Sequence, residues 1–230
     1  MDSFLSSSIF FGVFLSLAGY SAGLFVKKKL KLAIFNPLLI AIIIVIAVLK
    51  AADIPYKDYN EGAKYISYLL TPATVCLAIP LYRQIAVLKN NFKAIMAGIT
   101  AGVLSSMGSV LGMSVLFGLT HEQYVTLLPK SITTAIGMGV SQELGGIVTI
   151  TVAVIIITGV IGNIITEPVC RLFNITDPVA TGIGIGSSAH AVGTARAFEI
   201  GETQGAMSSL SIAVSGLVTV IMASVFAGIY

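Results

Sequence analysis

Lys130 lies in an otherwise apolar part of the chain, beside a proline and close to three hydroxyl residues. The sequence of residues 129–134 is Pro-Lys-Ser-Ile-Thr-Thr. A lysine at mid-membrane depth costs about 2.5–3.5 kcal/mol on insertion scales, so it needs a compensating role. Lys130, with Ser131, Thr133 and Thr134, could bind a carboxylate where Pro129 starts a helix. The alternative is that Lys130 lies near a helix end and extends to the lipid headgroups.

A second polar stretch covers residues 187–196, Ser-Ser-Ala-His-Ala-Val-Gly-Thr-Ala-Arg. His190 could bind an anion or carry a proton, because its unperturbed pKa is about 6.5; the alternative is a hydrogen-bonded packing histidine. Ser188 and Thr194 are the candidate hydroxyl ligands beside it. Arg196 could hold a carboxylate with two hydrogen bonds, or it could pair with Glu199 three residues later on a helix surface.

Prolines and glycines predict that the segments carrying these residues are broken. Backbone that is not helical survives at membrane depth only inside protein or beside water, so broken segments indicate an internal polar site. Thr74, which lies in the first of them, could satisfy a carbonyl group freed by proline or contact a ligand. The predicted breaks are at Pro72, Pro80, Pro129, Gly184, Gly186 and Gly193.

The composition of the whole chain places these segments in a membrane. Hydrophobic residues make up 56% of the 230 residues and charged residues only 10%, whereas a soluble domain carries about a quarter charged residues. The 13 basic and 10 acidic side chains could not cover a soluble particle of this size. The sequence therefore predicts an all-α, polytopic bundle of membrane helices with broken or re-entrant helices, in one transmembrane domain over residues 1–230.

Apolar runs of about 20 residues predict five uninterrupted spans and three interrupted segments. The interrupted segments are 65–88, 124–142 and 178–199. The sequence does not settle whether 124–142 crosses the membrane or re-enters on one side. The uninterrupted spans are Phe4–Val26, Ala33–Ala52, Phe92–Phe117, Gly145–Ile165 and Gly205–Tyr230.

Basic residues and a repeated pattern give the organisation of these spans. Lys27 to Lys31 form the densest basic cluster, which predicts a cytoplasmic loop there and an N-terminus outside. A broken segment followed by a span with a small-residue stripe occurs at 65–118 and again at 178–230, which is either a transporter-like duplication or a coincidence among Gly- and Ser-rich helices. The stripe at 98–112 could pack within one protomer or between two, and we expect a homodimer.

Several functional classes are excluded by what the sequence lacks. It contains no nucleophile elbow, no paired-histidine zinc motif and no phosphate-binding loop, which argues against an enzyme. Cys76 and Cys170 are far apart, and with two histidines they form no metal-ligand pattern. We therefore expect no cofactor, no metal and no nucleic-acid partner.

The broken segments also resemble the LrgB family of bacterial membrane proteins, called antiholin-like or CidB-type. The similarity covers nearly the whole chain, and one departure is Ala135, where the family pattern suggests a second proline. The matching stretches are Leu70-Thr-Pro-Ala-Thr-Val-Cys-Leu-Ala-Ile-Pro-Leu-Tyr82, Leu128-Pro-Lys-Ser-Ile-Thr-Thr134, Asp177-Pro-Val-Ala-Thr-Gly182, His190-Ala-Val-Gly-Thr-Ala-Arg-Ala197 and Gly201-Glu-Thr-Gln-Gly-Ala206.

The resemblance implies two different functions. One is control of murein hydrolases and autolysis with a small LrgA- or CidA-type membrane partner. The other is transport of a small monocarboxylate such as pyruvate, glycolate or glycerate, as in the plastid translocators similar to this family. It also implies the bacterial cytoplasmic membrane and a distant similarity to cation–proton antiporters and bile-acid symporters, with inverted repeats. The residues themselves favour a carrier, because a pore needs no lysine and histidine in separate broken segments.

Overall fold

The computed structural model describes residues 9–30, 36–69, 72, 75–76 and 78–230, and this part of the chain is helical with no strand. It divides into two compact units, one up to Cys76 and one from Leu77 to Tyr230. Four helices are long and apolar enough to cross a membrane: Phe10–Leu30, Ile85–Phe117, Val148–Leu172 and Glu202–Ala227. The prediction of a polytopic helical membrane protein is confirmed.

The first unit contains α1 (Ile9–Leu30), α2 (Pro37–Ala51) and α3 (Tyr56–Ser67). Small residues bring these helices together, since a Cβ placed on Gly12 would lie 2.2 Å from the Tyr59 carbonyl oxygen of α3. Asn36 caps α2 by accepting a hydrogen bond from the Leu38 amide. The predicted second span is shorter than expected: the 15 residues of α2 extend about 22 Å, against about 30 Å of hydrocarbon.

The second unit has three long helices and several short ones. The elements are α4 (Ala78–Arg83), α5 (Ile85–Phe117), α6 (His121–Leu127), α7 (Thr134–Glu143), α8 (Val148–Leu172), α9 (Pro178–Ile200) and α10 (Glu202–Ala227). Arg83 at the end of α4 lies 4.0 Å from Glu202 at the start of α10. The predicted interrupted segment 65–88 does not form one helix, because α3 ends at Ser67 and α4 ends at Arg83. Pro80 lies within α4, whereas Thr74 lies outside the described residues.

Helices α5 and α10 run parallel. Ile95 and Ile99 near the start of α5 form a cluster with Ala206 and Met207 near the start of α10. Towards the other end of both helices, Val110 and Ala223 belong to a second cluster. Both helices therefore begin at one end of the unit and finish at the other.

The segment 124–142 turns back on itself around Pro129. A turn at residues 128–133 separates α6 from α7, and the Thr151 hydroxyl lies 2.9 Å from the Thr126 carbonyl oxygen and 2.7 Å from Ser141 Oγ. Residues before and after the turn therefore meet beside the start of α8. We call the segment 121–143 the first hairpin.

The tip of the first hairpin reaches the middle of the unit. Ser131 Oγ lies 2.9 Å from Ser106 Oγ on α5. Because α5 ends at Phe117, Ser106 is about 16 Å from that end at 1.5 Å per residue. Half of a hydrocarbon core of about 30 Å is a similar depth. Of the two alternatives for 124–142, the hairpin geometry therefore predicts re-entry.

Helix α9 also reverses direction, and it does so at His190, where the backbone leaves helical geometry at φ 41° and ψ −138°. A Cβ placed on Gly193 would lie 2.9 Å from the Ile185 side chain, although residues eight apart in a straight helix are separated by about 12 Å. Gly182 near the start of α9 packs against Gln204 of α10, and the end of α9 leads directly into α10. We call α9 the second hairpin.

The predicted position of this break was wrong in detail. Gly184, Gly186 and Gly193 remain helical, and the reversal is at His190. Close packing explains the glycines at two of these positions. A Cβ on Gly186 would lie 2.3 Å from the Ser208 carbonyl oxygen of α10, and Gly193 faces Ile185 of the opposite half-helix. Gly184 has no neighbour within 4 Å of such a Cβ.

The two hairpins enter the second unit from opposite ends. Each follows a long helix: α5 leads into the first hairpin, and α8 leads into the second. The repeated arrangement in this unit is thus a span followed by a hairpin, over 85–143 and 148–200. These boundaries differ from the repeat at 65–118 and 178–230 that the sequence suggests. That repeat is placed by the small-residue stripes, which are surfaces for helix packing and do not indicate where a repeat begins.

Basic side chains give the orientation of this unit. Five of its six lysines and arginines lie at the end where α5 and α10 begin: Arg83, Lys89, Lys93, Arg171 and Arg196. The opposite end carries His121, Glu122 and Glu143. The positive-inside rule predicts that the basic end faces the cytoplasm. Lys130, the sixth basic residue, lies between the two ends, at the tip of the first hairpin.

This topology predicts which cysteine substitutions react from outside the cell. In a variant with Cys76 and Cys170 changed to serine, His121→Cys and Glu143→Cys should both react with an impermeant maleimide on intact cells. Phe173→Cys and Ile200→Cys should react only after the membrane is permeabilised. Labelling of His121→Cys and Glu143→Cys from opposite sides would show that the segment crosses.

Candidate functional site

A cavity of about 670 Å³ lies within the second unit, between α5, α8 and the first half of α9. Its volume is in the range of small-molecule sites. It extends from the tip of the first hairpin to Val169, Cys170 and Ile175, where α8 ends at the basic end of the unit. The cavity therefore leads from the tip of the first hairpin towards the basic end of the unit.

Lys130 is the only charged residue among the described residues that line this cavity. Its Nζ donates hydrogen bonds to Ser106 Oγ at 3.2 Å and to Ser131 Oγ at 3.1 Å. The turn at 128–133 places Lys130 there, because Pro129 interrupts the hairpin and its neighbours Leu128 and Ile132 are buried in the core. The alternative, in which Lys130 extends to the headgroups, does not describe this structure, because its ammonium group contacts Ser106 on the long helix α5 and Ser131 in the turn itself.

Hydrogen counting shows what these three side chains can still bind. The ammonium group has three protons and the two hydroxyls have one each. Three of these five protons are used: Lys130 donates twice, and Ser106 and Ser131 share one hydrogen bond at 2.9 Å. One N–H and one O–H remain. Two neighbouring donors, one of them charged, are the number that the two oxygens of a carboxylate can accept from.

The other hydroxyl groups of the cavity mostly donate to their own helices. Ser188 Oγ donates to the Gly184 carbonyl at 2.6 Å, Ser187 Oγ to Ile183 at 2.7 Å and Thr166 Oγ1 to Gly162 at 2.6 Å. Since each hydroxyl has a single proton, these oxygens present only lone pairs to the cavity. They are able to accept hydrogen bonds from a ligand.

The structure brings together only part of the predicted site. Lys130, Ser131 and Ser188 line the cavity. Thr133 and Thr134 are absent from the described lining and form the start of α7. Thr194 is buried against α10, with its Oγ1 2.7 Å from Ser208 Oγ.

His190 and Arg196 lie away from the cavity lining as well. The imidazole of His190 is buried, and its Nε2 donates to the Ile155 carbonyl of α8 at 2.9 Å. Arg196 forms ion pairs with Glu167 of α8 and with Glu199. The interpretation of Arg196 as part of a helix-surface ion pair therefore fits its contacts. Its guanidinium group is already paired with two carboxylates.

Sequence reasoning missed Ser106, which contacts both Lys130 and Ser131. It assigned the stripe on α5 to helix packing, and this holds for Gly98 and Gly102, which face Ile183 and Ser187 of α9. Ser105 and Ser109 of the same stripe line the cavity. Two adjacent serines in the middle of an apolar span, at 105–106, were the available signal for a polar site.

Comparison with known proteins agrees with these features. The LrgB-like family model matches residues 16–229. Antiholin-like protein LrgB of Bacillus subtilis (strain 168) is 37% identical over 227 residues, 98% of this chain and 97% of that protein. Its counterpart in Bacillus mycoides (strain KBAB4) is 35% identical over 218 residues, 94% and 95% of the two chains. No solved structure matches the chain.

The family match and the four membrane-length helices together describe a multi-pass bacterial membrane protein. The motifs identified in the sequence lie within the matched residues. This chain belongs to the LrgB-like family.

Proposed function

We propose that this protein carries a small monocarboxylate across the cytoplasmic membrane. The supporting observation is Lys130, a cation at mid-membrane depth whose only described partners are two serine hydroxyls at the end of a cavity. A cation there is costly, and a bound anion would neutralise it. Two hairpins entering from opposite ends are the arrangement in which transporters hold a substrate near the bilayer midplane.

The chemistry of the cavity favours one kind of carboxylate. A single positive charge suits an acid with one carboxylate. The lone pairs of Ser187, Ser188 and Thr166 suit a ligand that donates hydrogen bonds, as a hydroxy acid such as glycolate or glycerate does. Pyruvate, a keto acid, has no hydroxyl proton to offer.

The second candidate is a regulator of murein hydrolases and autolysis that acts with an LrgA-type partner. The observation that favours it is the name of the relatives, antiholin-like protein. A regulator that acts through its partner does not require a cation in the cavity. Lys130 therefore distinguishes the two candidates.

Ligand binding should depend on Lys130. In a Cys76→Ser variant, glycerate should slow the labelling of Cys170, which lines the cavity, by N-ethylmaleimide. Lys130→Ala should raise the glycerate concentration needed for half-maximal protection roughly tenfold to a hundredfold. The reason is that a hydrogen bond to a charged group contributes about 1.5–3 kcal/mol. Lys93→Ala, at the basic end of α5, is the matched control. Equal protection in both variants would remove Lys130 from the site.

A hydroxy acid should bind more tightly than the keto acid of the same length. Glycerate should protect Cys170 at concentrations about two to ten times lower than pyruvate, since one neutral hydrogen bond contributes about 0.5–1.5 kcal/mol. Ser188→Ala should reduce the difference, while Ser224→Ala, exposed on α10, should not. Equal protection by the two acids would contradict the proposed acceptor role of the cavity wall.

Paired assays of the same variants distinguish transport from regulation. Proteoliposomes with the intact protein should accumulate labelled glycerate, and Lys130→Ala should abolish the uptake. If uptake is absent, and cells with Lys130→Ala control autolysis like the wild type, the regulator is the correct assignment. If uptake occurs and Lys130→Ala also loses autolysis control, regulation is a consequence of transport.

A further inference from the structure

His190 has a backbone conformation that its side chain disfavours. Three described residues other than glycine have positive φ: Asp53, Asn174 and His190. Asp53 and Asn174 lie in turns between helices. Asp, Asn and His all enter the left-handed helical region more often than other residues, but the ψ of His190 lies far outside that region. His190 is only 3% exposed and lies at the tip of the second hairpin, where ψ is −138°. Such a conformation is strained and persists only where its surroundings enforce it.

Helix α8 provides a fitted slot for the His190 ring. The Ile155 carbonyl accepts a hydrogen bond from Nε2 at 2.9 Å, and since a carbonyl can only accept, Nε2 carries a proton. One turn further on, Gly159 leaves room for the imidazole. A Cβ placed on Gly159 would lie 2.7 Å from Cε1 and 2.9 Å from Nε2 of His190. The ring thus occupies the space that any side chain at 159 would take.

Further contacts extend from this slot to both hairpins. The Asn163 side chain donates to the Val192 carbonyl at 3.0 Å, and Thr194 Oγ1 donates to the His190 carbonyl at 2.9 Å. The half-helix before His190 carries Ser187 and Ser188 into the cavity wall. Ile155 also faces the first hairpin, since its Cδ1 is 2.4 Å from a Cβ placed on Gly137. One turn of α8 therefore contacts both hairpins.

We infer that His190 is a positioning residue and does not bind the ligand: its imidazole, seated in the Gly159 slot, fixes the tip of the second hairpin and with it the cavity wall. The strained backbone of His190 follows from this role, because glycine would adopt the same turn more easily but has no ring to fill the slot. This role does not depend on which ligand the cavity takes. It accounts for a histidine at the reversal of a segment that carries four glycines.

The inference is tested on the full-length Cys76→Ser protein in liposomes by two measurements. Deuterium exchange follows the amides of 187–194, and the rate of Cys170 labelling by N-ethylmaleimide follows the shape of the cavity. Gly159→Ala and His190→Ala should each raise exchange at the tip about tenfold or more and change the labelling rate several-fold. His190→Gln, whose amide can still donate to the Ile155 carbonyl, should stay closer to the wild type. Gly139→Ala, where a Cβ meets nothing within 4 Å, is the matched control.

The double variant Gly159→Ala/His190→Ala distinguishes two explanations for an effect of Gly159→Ala: displacement of the His190 ring, or disturbed packing around position 159 in general. Once the ring is absent, an alanine at 159 meets mainly Val192, whose Cβ is 3.1 Å away. His190→Ala should therefore make Gly159→Ala nearly harmless, so that the double variant behaves like His190→Ala alone. Additive effects, or Gly159→Ala indistinguishable from Gly139→Ala, would overturn the inference.

Failure of this test and failure of the proposed transport are distinguishable. A loosened hairpin in a protein that transports nothing supports the positioning role and contradicts only the carrier. Loss of glycerate uptake in His190→Ala with unchanged tip exchange and unchanged Cys170 labelling would contradict the positioning role and return His190 to the ligand site. If His190→Ala does not fold, Gly159→Ala and His190→Gln are compared instead: tip exchange and Cys170 labelling should change in Gly159→Ala and stay closer to the wild type in His190→Gln.

Discussion

The architecture of the second unit depends on one constraint: backbone groups at membrane depth must find partners within the protein. Two hairpins end in the middle of the unit, and each would leave amide and carbonyl groups unpaired in hydrocarbon. Hydroxyl and amide side chains on the long helix α8 compensate. Thr151 Oγ1 donates to the Thr126 carbonyl of the first hairpin at 2.9 Å, and Asn163 donates to the Val192 carbonyl of the second hairpin.

The same constraint explains how hydroxyl groups can lie in the wall of a mainly apolar cavity. Thr166, Ser187 and Ser188 each donate to a carbonyl four residues earlier, so their protons are used within their own helices. Lys130 lies where the first hairpin turns, and it is the only lysine or arginine of its unit away from the basic end. The proposed anion site rests on this cation.

Close packing by small residues is the second requirement. Glycines let α9 approach α10 and let the two halves of α9 approach each other, while Gly159 makes room for an imidazole on α8. Ile155 of α8 contacts both hairpins, with its carbonyl on the His190 imidazole and its side chain against Gly137.

The sequence by itself determined the class of protein, the interrupted segments at 124–142 and 178–199, and the prominence of Lys130. These depend on residue type and local spacing, because hydropathy and prolines act over one or two helical turns. Only the tertiary structure decided that both segments are hairpins, that Ser106, 24 residues before Lys130, completes the cation's environment, and that His190 faces α8 and not the cavity. Which side chains meet across helices is set by the packing of residues far apart in the chain, and no local pattern encodes it.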